Sequence, residues 1–144
     1  MLDENLVRTQ PDKALELFQA ALKSHASYMQ LAVSGKGVDR HLLGLRRCLQ
    51  PGEERPSLFS DVAYTRSTDF RISTSNMTFP SFMTAFAPTS PDGYGFCYGT
   101  RDSQFVCGIS SYNACSITSA AAMREALEWS LRAMRALHKE QAKL

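Results

Sequence analysis

The chain has 144 residues, 44% of them apolar and 21% charged, with a formal net charge of +2. Such a composition belongs to a globular chain, and the length suits one domain or a large piece of one. Its 16 basic residues are dispersed, which excludes a nucleic-acid footprint, and no apolar run approaches the roughly 20 residues a transmembrane helix needs.

The first element signal is Thr9-x-x-Asp12 with Pro11 between. A hydroxyl placed to cap, an acid in the first turn and a tolerated proline predict a helix start there. Leu15, Phe18, Leu22, Met29 and Val33 then recur at helical spacing until Gly35 and Gly37 end the run. A second helix is predicted over 38–49, with Leu42, Leu45 and Leu49 on one side, stopped by Pro51-Gly52. Residues 50–57 read as a polar loop and 58–64 as a short helix.

The pattern then changes. Segments 70–76, 82–87, 94–98 and 104–110 are short, rich in aromatic, Val, Ile and Thr residues, and separated by turn signals, so four strands are predicted. Pro91-Asp92-Gly93 reads as a turn with positive φ at its glycine, and the last two strands as a hairpin. A long helix over 119–142 closes the chain, with Ala120, Met123, Leu127, Leu131 and Met134 as its apolar stripe. Helices, then strands, then a helix predict an α/β (α+β) architecture: a mostly antiparallel or mixed β-sheet packed by helices.

Cys48, Cys97, Cys107 and Cys115 form no Cys-x-x-Cys, and no histidine follows at zinc spacing. No metal site is expected, and the cysteines read as reduced, small core residues in a reducing compartment. Two features concern targeting. The start, Met1-Leu2-Asp3-Glu4-Asn5, lacks the basic and apolar blocks of a signal peptide, while Ala142-Lys143-Leu144 is close to the Ser-Lys-Leu peroxisomal address.

Candidate chemistry begins at Ser73-Thr74-Ser75. Side chains alternate along a strand, so Ser73 and Ser75 share one face and Thr74 takes the other. Two aligned hydroxyls can stabilise the oxygen that becomes negative when an acyl thioester is attacked. Hydroxyl residues also line ordinary exposed strands, and the triplet by itself does not separate these readings. Arg40, at the start of the second helix, could hold a carboxylate in its guanidinium fork or pair with Asp39 as a surface ion pair. His41 could be a base or a ligand, although a lone histidine beside charged neighbours is more often structural or solvated, and His25 and His138 lie in predicted helices with no nucleophile near them in sequence. Phe82, Phe86, Tyr94, Phe96 and Tyr98 predict an aromatic-rich sheet, either plain core or a face for a quaternary ammonium.

Taken together, Asp39-Arg40-His41-Leu42-Leu43-Gly44-Leu45, then Ser73-Thr74-Ser75, then Asp92-Gly93-Tyr94-Gly95-Phe96-Cys97-Tyr98 resemble the choline/carnitine acyltransferase family in order and spacing. Ser110-Ser111-Tyr112-Asn113-Ala114-Cys115 and the closing helix extend the likeness from about Pro11 to Leu144. Within the family the pattern is similar to the carnitine acetyl- and octanoyltransferases, some of them peroxisomal.

The resemblance implies that residues 1–144 are the C-terminal part of a catalytic domain resembling chloramphenicol acetyltransferase. It implies reversible transfer of a short- or medium-chain acyl group between coenzyme A and carnitine, with both as substrates and no cofactor. The general-base histidine of the family falls upstream of these residues. Ser75 would stabilise the oxyanion. Arg40, Ser73 and Phe86 would bind carnitine, through its carboxylate for Arg40 and its trimethylammonium group for Phe86. The choline-specific branch resembles Asp-Asn-His-Leu-Leu where Arg40 stands. Asn76 would lie near coenzyme A, and Thr84 near the position that limits acyl-chain length. Ala26 stands where the acetyltransferase pattern has a coenzyme A-contacting arginine, and residues 77–87 depart from the pattern, one residue shorter. The implied partners are carnitine, acyl-CoA and a peroxisomal import receptor, in the peroxisome, with a mitochondrial location open to a longer form. Two other readings stand beside this one: a coenzyme A- or carnitine-binding module without the catalytic base, and a soluble α/β domain with accidental motifs.

Overall fold

The computed structural model describes residues 3–77 and 84–141, with side chains as far as His138. Its elements are α1 (Glu4–Thr9), α2 (Pro11–Val33), α3 (Val38–Cys48), a 3₁₀ turn (Ser57–Ser60), α4 (Val62–Ser67), β1 (Ile72–Asn76), β2 (Tyr94–Thr100), β3 (Phe105–Ser110) and α5 (Ala120–Gln141). Helices with a three-stranded mixed sheet make the chain α+β, as the element pattern predicts. Two compact units are distinguishable: a helical one, Met1–Phe59 with Glu128–Leu144, and a sheet unit, Ser60–Leu127.

In the helical unit, α1 is an element the periodicity does not reveal, because six mostly polar residues carry no apolar stripe. Asp3 caps it, accepting the Leu6 N–H at 2.9 Å. Thr9 therefore does not cap α2. It is the last residue of α1, and its hydroxyl donates to the Asn5 carbonyl at 2.8 Å. Gln10 joins the two helices: its N–H donates to the Leu6 carbonyl while its own carbonyl accepts from Ala14. At the other end of α2, Gly35 has φ 74°, Lys36 N–H reaches the Leu31 carbonyl and Gly35 N–H that of Ala32. This is the Schellman closure glycine permits.

The apolar stripe of α2 is buried only near its start. Ala14 is fully buried and Leu15 and Phe18 half-buried, whereas Leu22, Met29 and Val33 face water. On α5 the buried line is Met123, Leu127, Ser130, Met134 and Leu137, with Leu131 turned outward. Spacings of three and four still generate it, but a serine takes a place the apolar pattern assigns elsewhere. Cys48 is exposed rather than packed, at the last turn of α3 where Arg46 and Arg47 carry the chain to the surface. All four cysteines are free.

The sheet has the order β1-β2-β3, with β1 parallel to β2 and β2 antiparallel to β3, the expected hairpin. Of the predicted strand 82–87, Phe82 lies outside the described residues, and 84–88 have no regular structure. This stretch is held by side chains of the sheet instead of a backbone ladder. Thr84 shares a hydrogen bond with Cys97, Ser110 donates to the Phe86 carbonyl and Tyr112 to the Pro88 carbonyl. The Pro91-Asp92-Gly93 turn closes with Gly93 N–H on the Ser90 carbonyl at 3.0 Å, but Gly93 does not have positive φ. Glycine is required there by crowding, since a Cβ would stand 2.6 Å from the Arg71 carbonyl oxygen. Arg71 also binds Asp92 at 2.9 Å, fastening the turn to the start of β1.

Candidate active site

Residues paired across a sheet point to the same side, so the register assigns every side chain to a face. Ser73 pairs with Gly95 and Ser75 with Cys97, and on the next strand Gly95 pairs with Ser110 and Cys97 with Gly108. One face therefore carries Ser73, Ser75, Gly95, Cys97, Gly99, Val106, Gly108 and Ser110. Thr74, Asn76, Tyr94, Phe96 and Tyr98 are on the other. Burial follows the same alternation: β1 alternates exposed and half-buried with its serines half-buried, and Gly95, Cys97 and Gly99 are buried. The hydroxyls of Ser73 and Ser75 make no hydrogen bond with any described residue, so both are available to a ligand.

What lies over this face comes from 84–88. Thr84 Oγ1 is 2.7 Å from the Cys97 thiol, and Cys97 is the cross-strand neighbour of Ser75. Phe86 descends onto Gly95, where a Cβ would stand 3.1 Å from its ring and 2.9 Å from its carbonyl oxygen. The glycines make this approach possible, because a side chain at 95 would occupy the space the aromatic ring fills. On this face the Thr84–Cys97 pair stands beside Ser75 and the Phe86 ring beside Ser73, and neither serine hydroxyl has a partner among the described residues.

Of the site residues marked in the sequence, Ser73, Ser75, Thr84 and Phe86 share one face of the sheet unit, and Asn76 and Arg40 do not belong to that group. Asn76 is on the strand's opposite face from Ser75. Arg40 belongs to the helical unit, in the first turn of α3, exposed and without an ion pair to any described residue, Asp39 included. The expected aromatic sheet is divided. Tyr94, Phe96 and Tyr98 turn away from the serines, and with Thr74 and Leu127 the latter two line a separate apolar cavity of about 320 Å³. Phe86 alone of the described aromatic candidates accompanies the serines.

Sequence reasoning missed Gly95, Cys97 and Ser110. The signal was present in Gly93-Tyr94-Gly95-Phe96-Cys97-Tyr98-Gly99, where small and aromatic residues alternate strictly and so declare one close-approach face and one aromatic face. His25, His41 and His138 are all exposed on helices of the helical unit, so the sheet unit holds no histidine beside Ser75. Among the described residues no group of three or more His, Cys, Asp or Glu could hold a metal ion, and no helix is long and apolar enough to cross a membrane. Burial, then the nearby Cys97, raises the Cys107 thiol above its ordinary pKa. Polar groups close to the thiol, the Thr118 side chain first and then the backbone at Ile117 and Thr118, lower that of Cys115 in the loop after β3.

A family model described as Choline/Carnitine o-acyltransferase matches residues 1–129. Among similar proteins, carnitine O-acetyltransferase of Rattus norvegicus is 36% identical over 125 residues, which are 85% of this chain and 20% of that protein. Carnitine O-acetyltransferase of Columba livia is 37% identical over 133 residues, 88% of this chain and 21% of that protein. Choline O-acetyltransferase of Danio rerio is 36% identical over 125 residues, again 85% and 20%. The chain therefore spans about a fifth of the length of the curated relatives it matches.

Proposed function

Since the chain belongs to the choline/carnitine O-acyltransferase family, we propose that it forms the C-terminal part of a carnitine O-acyltransferase moving short- or medium-chain acyl groups between coenzyme A and carnitine. The observation that carries the reading is the convergence of two unpaired serine hydroxyls, Thr84 and Phe86 on one face of the sheet. In this reading the carnitine hydroxyl oxygen attacks the thioester carbonyl, and the Ser75 hydroxyl donates to the oxyanion that forms. The carbon–sulfur bond then breaks, coenzyme A leaves as its thiol, and the carnitine oxygen keeps the acyl group. Ser73 lines the carnitine site, the Phe86 ring faces the trimethylammonium group, and Thr84 borders the acyl chain. Asn76, on the opposite face of β1 from Ser75, is the residue proposed to lie near coenzyme A. The proton is taken by a histidine outside these residues, as the family resemblance implies.

Carnitine is favoured over choline by Arg40. Carnitine carries a carboxylate and choline none, and an exposed guanidinium without an ion pair to any described residue suits a carboxylate in a bidentate fork. The peroxisome, reached through Ala142-Lys143-Leu144 and its import receptor, is the proposed compartment; these three residues lie outside the described ones. The histidine placement also favours a second reading, in which the 144 residues bind carnitine or acyl-CoA without catalysis. One assay decides: thiol release by the complete enzyme from acyl-CoA of graded chain length, with carnitine or choline as acceptor. Carnitine-dependent release with short or medium chains is expected. Faster release with choline would reject the carnitine reading, and no release with either would favour the binding module.

A further inference from the structure

We propose that Ser110 is a positioning residue: it holds Phe86 against the sheet and so sets the aromatic contact made to the substrate's cationic end. The inference rests on the reading of Phe86 as the neighbour of the trimethylammonium group. Residues 84–88 have no regular structure, so the direction of the Phe86 ring depends on what grips its backbone. Ser110 Oγ donates to the Phe86 carbonyl at 2.6 Å, a link spanning 24 residues of sequence. Ser110 is also the cross-strand partner of Gly95, the residue whose missing side chain lets Phe86 approach. A Cβ at 95 would meet Ser110 Oγ at 2.6 Å as well as the Phe86 carbonyl oxygen and ring. The hydroxyl and the bare glycine act on the same few ångströms, one pulling the segment down and the other leaving it room.

A cation held by the face of an aromatic ring gains most when the ring is fixed in place before binding. Without the Ser110 hydroxyl, the Phe86 carbonyl loses this partner, and among the described residues the side-chain hydrogen bonds left to the segment are those at Thr84 and Pro88. A loosened ring should still permit acyl transfer while losing its preference for positive charge.

The test compares carnitine with its carbon isostere, in which an uncharged tert-butyl group replaces the trimethylammonium group while hydroxyl and carboxylate remain. In the complete enzyme, kcat/KM for carnitine should exceed that for the isostere by about 2- to 30-fold. S110A should bring this ratio towards one, mostly through KM, and S110T, which keeps a hydroxyl, should preserve it. G95A should behave as S110A does, so the inference does not depend on one variant folding well. An unchanged ratio in S110A and G95A would overturn it. A fluorine label on the Phe86 ring supplies a readout independent of turnover: S110A should shift its resonance and S110T restore it. If wild type shows no preference for charge, the reading of Phe86 fails. The fluorine spectrum then decides the positioning alone, and a resonance unmoved by S110A would sink that too.

Discussion

Ser75 owes its availability to its neighbours' directions: Thr74 and Asn76 turn to the aromatic face, leaving its hydroxyl on the serine face with no described partner. A donor aimed at a developing oxyanion meets full charge only in the transition state, so its loss falls on rate rather than binding. In the complete enzyme Ser75→Ala should lower kcat by about 10²- to 10³-fold with KM nearly unchanged. Thr74→Ala, on the opposite face, should spare the rate. Steady-state kinetics of both variants test strand register and role together, and equal losses would place the oxyanion contact elsewhere. Arg40→Asn tests the other end of the substrate. Leaving a carboxylate without its charged partner should raise the carnitine KM by about one order of magnitude or more and improve choline use relative to wild type. An unchanged carnitine KM would mean that Arg40 faces no carboxylate.

At the scale of elements, β2 organises the sheet unit because its small and aromatic residues alternate. Gly93 precedes that strand, and its crowding against Arg71 makes it a sensitive joint between β1 and β2. Gly93→Ala should destabilise the fold by about 1–3 kcal/mol, read as a lower urea midpoint. If the turn needed glycine only for its backbone angles, ordinary φ at 93 would make alanine harmless, so the size of the loss separates the two causes. The loop after β3 offers a chemical check. The neighbouring Thr118 and Ile117 polar groups lower the Cys115 thiol and burial raises that of Cys107, so at any pH between their two values more of Cys115 is thiolate. Alkylation followed by mass spectrometry at graded pH should modify Cys115 at lower pH than Cys107, and the reverse order would contradict the loop geometry.

For the whole molecule, the three histidines matter more than any surface feature. With the general base proposed to be a histidine outside these residues, the 144 residues alone should show no carnitine-dependent thiol release, since a general base contributes about 10²- to 10⁴-fold. Turnover by the isolated chain would show that one of the three acts as base. The last residues carry a separate prediction. A fluorescent protein ending in Ala142-Lys143-Leu144 should enter peroxisomes, and masking Leu144 should keep it out, because the import receptor reads a free terminus. A reporter that stays diffuse with the tripeptide intact would make the match accidental.

By itself the sequence determined what adjacent residues determine. Helical spacing marked α2, α3 and α5; short β-branched and aromatic runs marked β1, β2 and β3; the period of two set Ser73 and Ser75 on one face; and three ordered motifs identified the family. These are consequences of covalent geometry within a few residues, which a linear pattern records. Only the tertiary structure decided which residues meet the serines. The pairing of Thr84 with Cys97, the seat of Phe86 on Gly95 beneath Ser110, the parallel match of β1 with β2 and the crowding of Gly93 against Arg71 all join residues far apart in sequence. Such contacts form when chain closure and packing select one register from several that local preference allows. That is why an apparently uniform aromatic sheet separated into a serine face with a single described phenylalanine and an aromatic face turned away from it.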